Sequence, residues 1–455
     1  MKSVNALLAW YTIYWRTMGL ASITIRFLGS WLKDDWIVIY YSARPGSPAH
    51  GAVVPKGKGE IMVWNVEWNK GFIVGGDGNR RLTPNFRLKE FQSETGNIRV
   101  HRELVSALQM LREYFGKSIS VSKTDDDGLG AVLAGHSVTE LLAAADRVKA
   151  KHHLFDQVGQ QGDEVHVRIP NPDHLPEIEL EQALETAFSV TSGFETSGDR
   201  FQQVTGNFDG AGLSFGPVQW NFKSNTLVPL FRKFQETDES ALRACFTDEI
   251  DYDEWLKVLD LSAAQQIAWA NDISTGRGGH DVVQPWKGYL QAVGRVEKFR
   301  AIMVEQALRK YGARLLKAVK FLQDLKPSVQ IDHLRCLCSL YDLVIQQGSL
   351  DKARQAIEDR VKQENPRDQF QLVAIAVEER GRKANRRWQA DCVSRRLGIL
   401  HGVPETVEDH QRANIHFYML RDVRIRGAQE LMTADVSDQL ARVSQALASG
   451  DTLLA

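Results

Sequence analysis

The chain has 455 residues, 43% hydrophobic and 25% charged, long enough for two or three domains and apolar enough to bury sizeable cores. Lys and Arg number 56 against 57 Asp and Glu, a formal net charge of -1, which excludes the strongly basic balance of a dedicated nucleic-acid binder and the acidic one of a disordered tail. Four cysteines (Cys245, Cys336, Cys338 and Cys392) make no disulfide framework and fit synthesis in a reducing compartment, the cytoplasm.

Residues 1–41 contain the apolar runs LLAWYTIYW, ITIRFLGSWL and WIVIYY, but Arg16, Arg26, Lys33, Asp34 and Asp35 interrupt them. None reaches the roughly 18–20 apolar residues a spanning helix needs, so no transmembrane segment is expected. Lys2 ahead of an apolar stretch resembles a signal peptide, yet no small-x-small cleavage site follows, and a packed N-terminal element is the expectation. From Trp36 to Val74, β-branched and aromatic runs alternate with Gly/Pro-rich turns. Residues 1–80 are accordingly read as a β-rich segment.

Next come LTPNFRLKEF and a helix over 99–115, where Leu104, Leu108 and Leu111 recur at helical spacing. ISVS reads as a strand, VTELLAAADRVKA as a helix and EVHVRI as a closing strand, giving a domain over 81–169. PNPDHLPEIE at 170–179 predicts a stiff linker, placed at 170–184. Helical patterning then dominates 185–425, apart from a Gly-rich insertion at 206–216, and 426–455 is a polar tail.

NFRLKEF and the Leu104 helix with LREYFGKSISVS resemble the opening of zinc D-Ala-D-Ala carboxypeptidases, and EVHVRI resembles their last strand, where the resemblance makes His166 a ligand. A catalytic zinc needs three protein ligands and an open position. The family's S-x-H-x-x-G-x-A-x-D stretch is replaced here by KTDDDGLGAVLAGHS, without a His at the right place. His136 and Asp146 are poor substitutes, and His152 and His153 read as a solvated helix end. A degenerate module without a complete metal site is expected, and no cofactor.

The most informative segment is SVTSGFETSGDRFQQVTGNFDGAGLSFGPVQWN at 189–221. An apolar helix ends at Glu195, a turn-rich stretch leads to NFDGAG, and LSFGPVQW alternates like a hairpin strand. Glycoside hydrolysis generally uses a protonated acid at the leaving oxygen and a carboxylate that activates water or attacks the sugar. An apolar setting raises the pKa of the acid and a polar loop keeps its partner ionised. Glu195 follows Phe194, whereas Asp209 lies among Asn207, Gly210 and Gly212.

A helix-terminal Glu before a Gly-rich hairpin resembles the lysozyme superfamily. DGAGLSFG at 209–216 is similar to the D-G-R-G-x-T-x-G stretch of bacterial chitosanases of glycoside hydrolase family forty-six. That resemblance implies Glu195 as general acid, Asp209 as general base, Ser214 as a water-positioning hydroxyl and an inverting reaction. It extends Asn207, Gln219, Trp220 and Asn221 toward sugar subsites, with Trp220 stacking on a ring. Tyr341-Asp342 and Gln346-Gln347-Gly348 resemble the family's Y-D-x-x-x-x-H-G run. Ala211 in place of Arg and Gln347 in place of His count against chitosan, while an acidic excess over 191–260 suits that polycation.

Competing readings stand beside these. Taken alone, Glu195 also reads as an ordinary helix-terminal acid, Asp209 as an Asx-turn residue, and Ser214 as a locally bonded strand hydroxyl. Asp199 and Asp272 are rival carboxylates, Asp272 lining the cleft from an opposite lobe. Trp255, Trp269, Trp286 and Trp388 are core residues before they are sugar platforms. RGRKANRRW, with Arg395 and Arg396 after it, reads as a solvated or ion-paired face.

The expected fold is α+β: a mainly helical, two-lobed lysozyme-like domain with a small β-hairpin, preceded by a smaller α+β domain. The expected activity is hydrolysis of peptidoglycan glycan strands, as in a phage lysin or an antibacterial secreted effector with an immunity or delivery partner, reaching the cell envelope without a signal peptide. The alternatives are a chitosanase and a non-catalytic cell-wall-binding or structural phage protein.

Overall fold

Helices dominate and the sheets are small, so the chain is α+β and mainly helical, as expected. The computed structural model describes residues 24–28, 38–42, 62–64, 67–69, 71–426 and 428, with short gaps at 77, 84, 136, 196–199, 403–405, 410–411 and 415. The described residues form two compact units, one of those up to 183 together with those from 317 to 428, the other of those from 184 to 316. No helix among the described residues is long and apolar enough to cross a membrane.

In the first unit, Ile119–Thr124, Gly130–Gly135, Glu164–Arg168 and Gln157–Gln161 form a four-stranded antiparallel sheet in that order. Ile119 and Val121 point into the core while Ser120 and Ser122 face out, the alternation that fixes a half-buried strand. Leu104, Leu108 and Leu111 are fully buried on the helix Arg102–Phe115. His101 accepts the Glu103 N–H at its start, and Gly116 ends it in the left-handed conformation, φ 71°. The helix Val138–His152 completes this core. His153 lies in the left-handed region at its end, but His152 is buried, so only one of the pair is solvated.

The helices Leu334–Gln347, Gln369–Arg382 and Gln389–His401 belong to this same unit. Asp422 is the joint: Arg102 and Arg335 both donate to its carboxylate inside the core. The expected domain over 185–425 is therefore divided, its part beyond residue 316 folding with residues 81–169. Amphipathic spacing defines an apolar face but not the core it joins. The proline-rich stretch is no free spacer either, because Glu177–Ile178 pairs in parallel with Arg424–Ile425. Strands Thr24–Leu28 and Val38–Ser42 form a sheet with His416–Met419, and Met62–Trp64 pairs with Thr406–Asp409. Thus the chain leaves the helical pattern before 425, and the described strands at 38–42 and 62–64 pair with that C-terminal part. The expected tail, apart from Arg426 and Ala428, lies outside the described residues.

Asp342, of the Tyr341-Asp342 pair, is fully buried between Arg395 and Arg396. Arg395 and Arg396 are thus ion-paired inside the core, and Arg382 pairs with Glu378 and Glu379, whereas Lys383 and Arg386 are exposed. Trp388 is the exception among the four tryptophans, at 46% exposure.

The second unit starts within the helix Leu180–Glu195. Strands Val204–Thr205, Ser214–Phe215 and Trp220–Asn221 follow as a three-stranded antiparallel sheet in chain order. Helices Leu227–Arg243, Glu249–Asp260, Ala263–Asp272, Trp286–Val293 and Glu297–Leu325 surround an aromatic core. Trp255 meets Phe231 edge-on at 4.7 Å and Trp269 meets Trp286 at 4.9 Å, arrangements that aromatic quadrupoles favour.

Candidate functional site

Glu195 ends its helix as the sequence predicts, after a turn-by-turn burial of Ala183, Leu184, Ala187, Phe188 and Val190. The periodicity fixes the helix; the side chain of Glu195 lies outside the described residues, as does all of Asp199.

The segment 206–212 is built as a strut and a turn. Asn207 donates its N–H to Ser274 Oγ at 2.8 Å and its amide to Asn271 Oδ1 at 2.6 Å, and accepts the Gly212 N–H at 2.7 Å. It therefore fixes two loops to each other instead of standing free for a sugar. Asp209 is exposed, and its Oδ1 accepts the Ala211 N–H at 3.0 Å, the Asx turn that Asp before Gly forms. Gly210 and Gly212 take φ of 76° and 82° around it, conformations open to residues without Cβ. A carboxylate so placed is solvated and oriented, as a base in a polar loop needs to be.

The hairpin forms in the expected place, with Ser214 opposite Asn221 and Phe215 opposite Trp220. Its side chains correct two expectations. Trp220 is 3% exposed and packs on the bare face of Gly216, so it has no surface for a sugar ring. Ser214, at 4% exposure on the central strand, is a core hydroxyl and not one presented to bulk water. Gln219 donates to Gly216 O at 3.0 Å and accepts from Thr205. Asn221 accepts from Ser224 and donates to Gln219 O. Both hold the turn. Asp272 is exposed at the end of the helix Ala263–Asp272.

A cleft of about 740 Å³ opens beside the first strand, lined by Gln203, Thr205, Arg277, His280, Asp281 and Lys287, among others. Composition gave no sign of it, although the charged, glycine-rich run STGRGGHD at 274–281 was the available signal. Asp281 receives Lys287 Nζ at 2.7 Å and the Val282 N–H at 2.9 Å, and these bonds hold its carboxyl below the usual carboxylate range. The cleft meets the Asp209 loop through Phe208, whose ring stacks on His280 at 4.3 Å and 17°. Phe208 is 43% exposed. The loops approach so closely at Gly206 that an added Cβ would lie 2.5 Å from the carbonyls of Asp281 and Gly279.

No family model, curated protein or solved structure matches this chain. The site's chemistry therefore rests on its own residues. In the first unit, His166 Nε2 lies 3.2 Å from Asp125, and Arg168 bonds both Asp125 and Asp127. Among the described residues no group of three or more His, Cys, Asp and Glu side chains gathers where a metal could bind. His136 lies outside the described residues, and Asp146 is exposed on its helix.

Proposed function

We propose that the second unit is a lysozyme-like glycoside hydrolase that cleaves peptidoglycan glycan strands. One observation carries the reading: a helix ending in Glu195 leads into an antiparallel sheet whose first loop exposes Asp209 and whose edge borders an open polar cleft. In this reading Glu195 donates its proton to the glycosidic oxygen as the bond to C1 breaks. Asp209 takes a proton from water as that water attacks C1 from the opposite face, so the configuration inverts. Residues 207, 219 and 221 act by shaping the loop and hairpin rather than by touching sugar.

The test is reducing-end release from purified peptidoglycan and from chitosan, for the wild type and Glu195→Gln. New ends from peptidoglycan that fall by about 100-fold or more in the variant are expected, the scale on which general acids contribute. Cleavage of chitosan alone would move the substrate to that polymer. Retained sacculus binding without cleavage of either would make the protein a cell-wall-binding module.

A further inference from the structure

The cleft also carries a charge that no described residue offsets. Lys287 is committed to Asp281, so that pair is neutral overall. Arg277 is exposed in the cleft wall and makes no hydrogen bond or ion pair with any described residue. It sits in a turn in which Gly276, Gly278 and Gly279 have φ of 74°, 68° and 73°, so no adjacent side chain in the turn shields the guanidinium. The turn itself is anchored. Its flanking strands pair Thr275 with Asp281, Ser274 Oγ receives the Asn207 N–H, and Gly206 lets the two backbones touch. Beside it lies the exposed Phe208 ring, backed by His280. An unpaired guanidinium next to a flat apolar surface matches a sugar that carries a carboxylate.

We propose that Arg277 is a specificity-determining residue that binds a substrate carboxylate while the sugar lies against Phe208. This rests on the glycosidase reading and deepens it: the substrate class is an anionic glycan, such as one bearing lactyl ether or peptide carboxylates. Neutral chitin and cationic chitosan lack that group. A guanidinium matches a carboxylate in bidentate geometry, and repels an ammonium-bearing polymer, so one residue supplies attraction and rejection together.

The experiment separates this from catalysis by measuring binding without turnover. The full-length chain carrying Glu195→Gln is sedimented with purified peptidoglycan sacculi, either native or with their carboxylates converted to primary amides. The same is done after adding Arg277→Gln or Arg277→Lys. Native sacculi should bind about 10-fold more weakly once Arg277→Gln is added, the loss of one charge-assisted contact. Amidated sacculi should bind equally weakly with or without that change, and Arg277→Lys should keep part of the difference. Unchanged melting temperatures are expected, since Arg277 is exposed. Equal binding of native sacculi with and without Arg277→Gln, or a loss that persists in full on amidated sacculi, would overturn the assignment. Failure of the glycosidase reading would show separately, as the absence of new reducing ends from the wild type.

Discussion

Arg102 Nε donates to Asp422 Oδ2 at 2.7 Å across a sequence separation of 320 residues, with both side chains buried. Arg335 bonds the other carboxylate oxygen, and the Glu103 carboxylate accepts the Asp422 N–H. Two guanidinium groups hold the Asp422 carboxyl far below the usual carboxylate range, against the effect of its burial. This joint unites residues 81–169 with the helices beyond 316 in one unit.

Asp422→Asn leaves Arg102 and Arg335 as buried cations facing a neutral amide. Removing one partner of a buried pair costs about 3–5 kcal/mol. The unfolding transition of the first unit in urea should move by that amount, and a shift below about 1 kcal/mol would mean that the cluster is solvated.

The same cluster gives a pH dependence. Burial pushes His333 down to about 3 and His101 down to about 4, so both stay neutral in the fold but take protons near 6.5 when unfolded. Their contribution is whole above about pH 6.5 and is lost as pH falls toward those folded values. Glu103 has the opposite sign: burial raises it to about 7, so its contribution is present below about 4.5 and lost as pH rises through 7. His333→Asn isolates one group while keeping a residue that caps the helix start. Its stability deficit relative to wild type should shrink by about 1.4 kcal/mol from pH 5.5 to 4.5. A constant deficit in urea melts at the two pH values would show that His333 is already charged in the fold.

Trp220 separates packing from sugar stacking. Trp220→Ala should cost the second unit about 3–5 kcal/mol, the usual range for emptying a buried aromatic site, and Trp220→Phe much less. Thermal melts check this. An undiminished melting temperature with weakened glycan binding would return Trp220 to the sugar-platform role that its sequence position implied.

The two carboxylates near the cleft have different surroundings and should respond differently. Among the described residues Asp209 has its turn bond to Ala211, whereas Asp281 is engaged by Lys287. Asp209→Asn should lower kcat on peptidoglycan by about 100-fold or more, as loss of a general base does, with melting unchanged. Asp281→Asn should act mainly on KM, by releasing Lys287. The reverse pattern would make Asp281 the base.

Local structure was legible wherever one pattern dominated. The Leu104 helix, the ISVS and EVHVRI strands, the Glu195 helix and the Ser214–Asn221 hairpin all lie where spacing and turn residues predict. What the sequence concealed was partnership. Nothing in LRCLCSLYDLVIQQ tells that its Arg335 would meet Arg102 at one aspartate, because an apolar stripe packs on any complementary core. Trp220 shows the same limit at the site: alternation gives its strand but not which face is covered. Arg277 was hidden for a different reason. Its role depends on Lys287 being occupied by Asp281, a relation between side chains that spacing does not reveal.

The central claim is that Glu195 drives hydrolysis of a glycan strand, and isotopic labelling tests it most directly. Purified peptidoglycan is digested in H₂¹⁸O and the new saccharide ends are weighed by mass spectrometry. One ¹⁸O on each new reducing end with the wild-type chain, and almost no new ends with Glu195→Gln, is the predicted result. No new ends, ends without the label, or undiminished cleavage by Glu195→Gln would contradict it.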